Sequence, residues 1–130
     1  MNNIALICDD NYCLPTAVCI QSIIDNTNVV GFTTVHVCTF GLTEINRQFI
    51  LNLNCDRVHI EINNFSKNDY LELLSKVNPK THVSTSALIK FELANYFSQL
   101  DSLLYLDSDI VLKKDISEIF NTDISKSYLA

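Results

Sequence analysis

The sequence predicts an α/β protein with a mostly parallel sheet and helices on both faces. Three observations carry this. Runs of aliphatic and β-branched residues alternate with stretches whose apolar residues recur at helical spacing, in the order β-α-β-α-β-(α)-α-β. Two of these runs, at the start of the chain and just before Asp107, are almost wholly apolar, as in strands covered on both sides. Both run directly into carboxylates, and ligands of open α/β sheets sit just beyond the carboxyl ends of the strands.

The elements follow in order. Asn3 to Cys8 is a short buried strand that stops at Asp9-Asp10-Asn11-Tyr12. Leu14-Pro15 opens a helix, Pro being suited to a first turn. Ala17, Ile20, Ile23 and Ile24 form its apolar face, and Asp25 to Asn28 ends it. Thr33 to Phe40 is rich in β-formers and is the second strand. Gly41-Leu42-Thr43 turns the chain, with Thr43 as N-cap of a helix carrying Ile45, Phe49, Ile50 and Leu53 on one side. Val58, Ile60 and Ile62 alternate with His59 and Glu61, so the third strand has one exposed face. A weaker helix spans Tyr70 to Leu74, and Asn78-Pro79-Lys80 is a loop. Thr85 to Phe97 is a helix with Leu88, Phe91 and Ala94 aligned. A strand from Leu103 leads into Asp107, Lys113-Lys114-Asp115 is a solvated turn, and Ser117 to Phe120 forms a helical turn. Ser127 to Ala130 reads as the start of another strand.

Composition narrows the function. The 130 residues carry 48% hydrophobic side chains, enough for a core, and only 2 Gly and 2 Pro, which argues against disorder. A net charge of -6 disfavours nucleic acid and anionic membrane surfaces as partners, since both are bound by clustered Lys and Arg. The 5 Cys are odd in number and form no Cys-x-x-Cys pair, so neither a disulfide framework nor a zinc site is indicated. Reduced thiols imply a cytoplasmic location. No basic leader precedes the first apolar run, and no run is long enough for a transmembrane helix.

The chemistry concentrates in Leu103 to Leu112. Read as extended chain, Asp107 and Asp109 point the same way, their α-carbons about 6–7 Å apart. Carboxylates that close repel unless a cation or proton lies between them. A hard divalent cation, Mn²⁺ or Mg²⁺, fits oxygen ligands. The alternative is a pair of turn aspartates ending a strand. The cluster Asp9 to Tyr12 should meet them at one edge of the sheet. An aromatic beside Asn and a carboxylate can hold a nucleobase, and a metal can neutralise phosphates. His36 and His59, inside strands, read as packing residues, and Asp10 as structural.

Taken together, Asp9-Asp10-Asn11-Tyr12, the segment Asn11 to Asn26, the helix start Leu42 to Phe49 and Leu104-Tyr105-Leu106-Asp107-Ser108-Asp109 resemble glycosyltransferase family 8. The resemblance implies a Rossmann-like GT-A fold and a retaining hexosyltransferase of the lipopolysaccharide galactosyl- and glucosyltransferase type. It implies a UDP-sugar donor, a glycan or lipopolysaccharide-core acceptor and a Mn²⁺ (or Mg²⁺) cofactor. Asp9 and Asn11 would contact the uracil end and Tyr12 would stack on the base. Asp107 and Asp109 would bind the metal, with Ser108 among the donor-contacting residues. Lys90 stands where the family usually has a donor-contacting Arg, and His82 lies in a stretch that often faces the acceptor.

The family's later half carries a second metal motif with a His ligand, an acceptor segment and a donor lid. Residues 1–130 are therefore expected to be the N-terminal, nucleotide-sugar-binding part of a single, C-terminally incomplete GT-A domain, with weak or no transfer. Self-association through uncovered surface is expected, and a peripheral membrane association for the full-length enzyme. A non-catalytic nucleotide-sugar-binding module uses the same residues. A haloacid-dehalogenase-type phosphatase would make Asp107 a nucleophile and Asp109 an acid, but only a short tail follows the motif. An EF-hand would use Asp107, Asp109 and Glu118, yet Val111 and Leu112 occupy positions that need an oxygen ligand and a Gly.

Overall fold

Four parallel strands in the order β3-β2-β1-β4 form the centre of the computed structural model, which describes residues 1–27, 33–70 and 85–123. β1 is Asn2–Ile7, β2 is Thr33–Thr39, β3 is Val58–Asn64 and β4 is Leu104–Tyr105. A 3₁₀ turn, Asp10–Tyr12, runs into helix α1, Cys13–Asn26. Helix α2 is Glu44–Leu51. A 3₁₀ segment Thr85–Phe91 and a single-turn helix α3, Leu93–Tyr96, precede β4. The predicted α/β class with a parallel sheet is what folds.

Alternation along the strands sorts side chains onto two faces. Ile4, Leu6, Val35, Val37, Val58 and Ile60 pack with Ala17, Ile20, Ile23 and Ile24 of α1 and Ile50 of α2. Ala5 and Cys38 point the other way and meet Ile89, Leu93 and Phe97. The apolar face read for α1 is therefore its buried face. β3 lies at a sheet edge and keeps His59 and Glu61 exposed, in alternation with buried Val58 and Ile60 and half-buried Ile62, as its pattern predicts. His36 is buried on the second face, Nε2 beside Asn3 Oδ1 at 3.3 Å and its ring 4.6 Å from that of Phe97. It is a packing residue, as read.

Three local expectations change. The face assigned to α2 is mostly solvent-exposed, with only Ile50 buried and Ile45 82% exposed. Thr85 to Phe97 is not a continuous α-helix. It is a 3₁₀ segment followed by one α turn, and Ser86, Ile89, Leu93 and Phe97 go inward while Phe91 is 70% exposed. The spacing of three between Leu88, Phe91 and Ala94 belongs to a 3₁₀ row, and the buried row begins at Ser86. The strand expected from Leu103 into the carboxylates pairs only at Leu104 and Tyr105, opposite Ile4 and Ala5.

Lys113 and Lys114 are exposed and Ser117–Asn121 forms a 3₁₀ turn, both as expected. The helix expected to start at Tyr70, His82 and the strand expected at Ser127 to Ala130 fall wholly or almost wholly outside the described residues. Among the described residues no helix is long and apolar enough to cross a membrane.

Candidate functional site

Strand order decides where a ligand can enter. From β1 the chain moves outward to β2 and β3, then returns to the opposite side of β1 as β4. The crevice at the carboxyl ends of β1 and β4 is the topological switch point, the usual ligand position in such sheets. A cavity of about 260 Å³ opens there. That is slightly below the range of about 300–1,000 Å³ common for small-molecule pockets, room for part of a large ligand.

Ile7, Asp9 and Tyr12 line it from the end of β1. Tyr105, Asp107, Ser108 and Asp109 line it from the end of β4. Ser86 and Ala87 complete the wall from the 3₁₀ segment on the second face. Thus Asp9, Tyr12, Asp107, Ser108 and Asp109, separated by almost a hundred positions, do face one space. Asn11 and Lys90 are not among its lining residues. Lys90 Nζ instead sits 5.7 Å from the centre of the neighbouring Phe91 ring.

The first wall is built by capping. Asp9 has extended backbone, and its Oδ1 accepts the amides of Asn11 at 3.0 Å and Tyr12 at 3.1 Å. This short Asp motif turns β1 into α1 and sets Tyr12, 45% exposed, over the cavity. Ser86 donates to Asp9 Oδ2 at 3.4 Å, tying the far wall to the same carboxylate. Asp10 points elsewhere. Its Oδ1 accepts from the Thr43 amide, the Thr43 hydroxyl and Asn46 Nδ2, at 2.9, 2.9 and 2.7 Å. The Thr43 amide, then Asn46, hold its carboxyl below the usual range. Asp10 is structural, as expected. Thr43 stands at the N-cap position of α2 but caps nothing with its own side chain, because its hydroxyl serves Asp10.

The second wall is a turn, not extended chain. The ladder ends with Leu106 N donating to Ala5 O at 3.1 Å, and Ile110 N then reaches back to Asp107 O at 3.4 Å. Asp107 and Asp109 therefore share the cavity through the turn rather than through strand alternation. Ser108 between them is buried and donates its hydroxyl to the Ile7 carbonyl. Farther on, Leu112 is clamped to α1: its amide donates to Ser22 Oγ at 3.0 Å and its carbonyl accepts from Asn26 Nδ2 at 3.1 Å. Tyr105 donates to Asp107 Oδ1 at 2.7 Å. Burial, then this bond to Asp107, pushes the Tyr105 phenol well above its ordinary pKa, so it remains a donor.

The chemistry this allows is limited. Burial raises the Cys8 and Cys19 thiols to about 11 and Cys38 to about 12, so they are not thiolate nucleophiles. Among the described residues no three His, Cys, Asp or Glu side chains converge as a closed metal cage. Asp107 and Asp109 offer two hard oxygen donors on an open wall. Small divalent cations are commonly held in this way, by one or two carboxylates plus phosphates and water. The donor set fits such an ion. Among the described residues no α-helix flanks Asp107 to Glu118, a stretch that begins after β4 and ends in a 3₁₀ turn, which is not the helix–loop–helix of an EF-hand.

Tyr105, Ser86 and Ala87 escaped the sequence reading. Tyr105 had a signal, standing two residues before Asp107 in a strand register. Ser86 had none, since only the fold brings it to Asp9.

The architecture is shared with solved glycosyltransferases. The galactosyltransferase LgtC, solved in complex with donor and acceptor sugar analogs, superposes with TM-score 0.78 at 23% identity, over 94% of this chain and 43% of its own. The bifunctional glycosyltransferase WbbM in its apo form gives 0.74 at 22% identity, over 95% of this chain and 21% of its own. Mouse xyloside xylosyltransferase 1, also apo, gives 0.63 at 11% identity, over 98% of this chain and 49% of its own. The chain thus spans less than half the length of each. No curated protein sequence matches it. At these identities the superpositions establish the fold, a GT-A-type parallel sheet. The sequence itself matches the model of glycosyl transferase family 8 over residues 3–130. With paired carboxylates at the switch point of such a sheet and a family match over nearly the whole chain, this protein belongs to glycosyl transferase family 8.

Proposed function

We propose that the chain is the nucleotide-sugar-binding part of a retaining glycosyltransferase that moves a hexose from a UDP-sugar to a glycan or lipopolysaccharide-core acceptor. The observation that carries this reading is the meeting of Asp9 and Tyr12 with Asp107 and Asp109 around one cavity at the switch point. Tyr12 offers a ring face for the base, a contact worth about 1–3 kcal/mol. The Asp9 carboxylate accepts hydrogen bonds only, which suits the N–H edge of uracil. Asp107 and Asp109 would hold Mn²⁺ or Mg²⁺ against the diphosphate. When bound, that ion supplies charge neutralisation and Lewis-acid assistance to departure of UDP. Asn11 and Lys90 do not line the cavity, and in this reading they would contact the part of the donor that lies outside it. Five unpaired cysteines, four of them buried, support a cytoplasmic location.

Binding without transfer is the second reading, favoured by the small volume of the cavity. Calorimetric titration of UDP with and without Mn²⁺ tests the site, with the Asp107→Ala, Asp109→Ala double variant as control. Metal-dependent binding that the double variant loses is expected. Binding that ignores both metal and substitution would overturn the assignment. Release of UDP from UDP-hexoses, followed with acceptor glycans present, separates transfer from binding alone.

A further inference from the structure

Tyr105 is the last residue of β4, and its side chain lies in the cavity wall beside Asp107 and Asp109. Its hydroxyl is 2.7 Å from Asp107 Oδ1. A phenol donating to an ionised carboxylate at this distance makes a strong, directional bond. It restrains rotation of the carboxylate and draws electron density from Oδ1. Oδ1 is then the weaker donor toward a cation, and Oδ2 the stronger. Chelation through both oxygens is correspondingly disfavoured.

Cations differ in how much this matters. Calcium takes 6–8 oxygens at about 2.3–2.6 Å and readily uses both oxygens of a carboxylate. Magnesium requires near-octahedral geometry at about 2.0–2.1 Å and bonds one oxygen per carboxylate. Manganese likewise favours octahedral oxygen sites. We propose that Tyr105 is a positioning residue that holds Asp107 to single-oxygen coordination and so makes the site select small six-coordinate divalent cations over calcium. This rests on Asp107 and Asp109 being cation ligands, as assigned above.

The test compares wild type with Tyr105→Phe, which removes one oxygen atom from a partly exposed side chain. With UDP saturating, Mn²⁺, Mg²⁺ and Ca²⁺ are titrated separately by calorimetry, and the paramagnetic resonance spectrum of bound Mn²⁺ is recorded. Loss of a hydrogen-bond partner behind a metal ligand typically costs 10–100-fold in affinity. We expect Mn²⁺ and Mg²⁺ to weaken by about tenfold, Ca²⁺ to hold or strengthen, and the manganese spectrum to change. An equal loss for all three ions, or an unchanged Mn²⁺-to-Ca²⁺ ratio, overturns the proposal. Incorporation of 3-fluorotyrosine at position 105 keeps the ring and strengthens the donor, so the ratio should widen; this arm decides if Tyr105→Phe does not fold. If wild type and the Asp107→Ala, Asp109→Ala variant take up the ions equally, the ligand assignment itself fails, a result distinct from an unchanged ratio at Tyr105.

Discussion

Replacing Ser108 by Ala should loosen the carboxylate-bearing turn far more than it destabilises the protein. β4 pairs with β1 at two positions only, and the ladder's last bond is Leu106 N to Ala5 O. The next backbone fastening is Leu112, held by Ser22 and Asn26 of α1. Between them, the Ser108 hydroxyl on the Ile7 carbonyl ties the backbone of the turn to β1, while Tyr105 of β4 holds only the Asp107 carboxylate. A hydrogen bond of this kind contributes about 0.5–1.5 kcal/mol net. For a domain of this size, about 1 kcal/mol lowers the melting temperature by about 4 °C.

The local effect is larger because the freed residues must be ordered again when ligand binds. Fixing one residue's backbone costs about 1–2 kcal/mol, and about 1.4 kcal/mol is tenfold in affinity. Ser108→Ala should therefore raise the Kd for UDP with Mn²⁺ by about tenfold or more. Amide hydrogen exchange should accelerate across 107–111 while the β1 amides remain protected. A melting temperature that falls while exchange at 107–111 and nucleotide affinity stay at wild-type values would refute the tether and leave Ser108 as a packing residue.

Other perturbations follow from the same geometry. Ile20 of α1 is fully buried in the larger core, so Ile20→Ala should cost about 2–5 kcal/mol in urea unfolding; a cost under about 1 kcal/mol would mean that α1 is not packed as described. His36 gives a pH signature. Burial, opposed by Glu61 and aided by His59, lowers its folded pKa below 6.5, so the unfolded chain binds the proton first as pH falls. Its contribution to stability is full above pH 6.5 and declines below it until the folded pKa is reached. Melting temperature should drop between pH 7 and pH 5 by less in His36→Gln than in wild type, and equal slopes would contradict this. Asp10→Ala should release the start of α2, seen as faster exchange of the Thr43 amide, with UDP affinity retained because Asp10 faces away from the cavity.

Much of this molecule was legible in one dimension. The parallel α/β class follows from apolar runs alternating with helical periodicity, because a strand covered on both faces must be apolar throughout. The buried stripe of α1 was readable from Ala17, Ile20, Ile23 and Ile24, since a helix has only one face to bury. The two acidic clusters stood out for the opposite reason, as charge placed where apolar sequence stops.

Tertiary structure decided the rest. That Asp9 and Asp107 share a cavity depends on β4 lying next to β1, a long-range pairing with no local signal. The turn at Asp107–Ile110 replaced the expected extended strand because the Ser108 hydroxyl, donating to the β1 carbonyl of Ile7, and the Ser22 and Asn26 side chains of α1, bonded to Leu112, take over where the ladder ends. The inward row Ser86, Ile89, Leu93 and Phe97 was chosen by the sheet face it covers, and three-residue spacing in Leu88, Phe91 and Ala94 misplaced it by a fraction of a turn. Sequence specified which residues could carry charge to the sheet edge, and packing determined which of them face the same ligand.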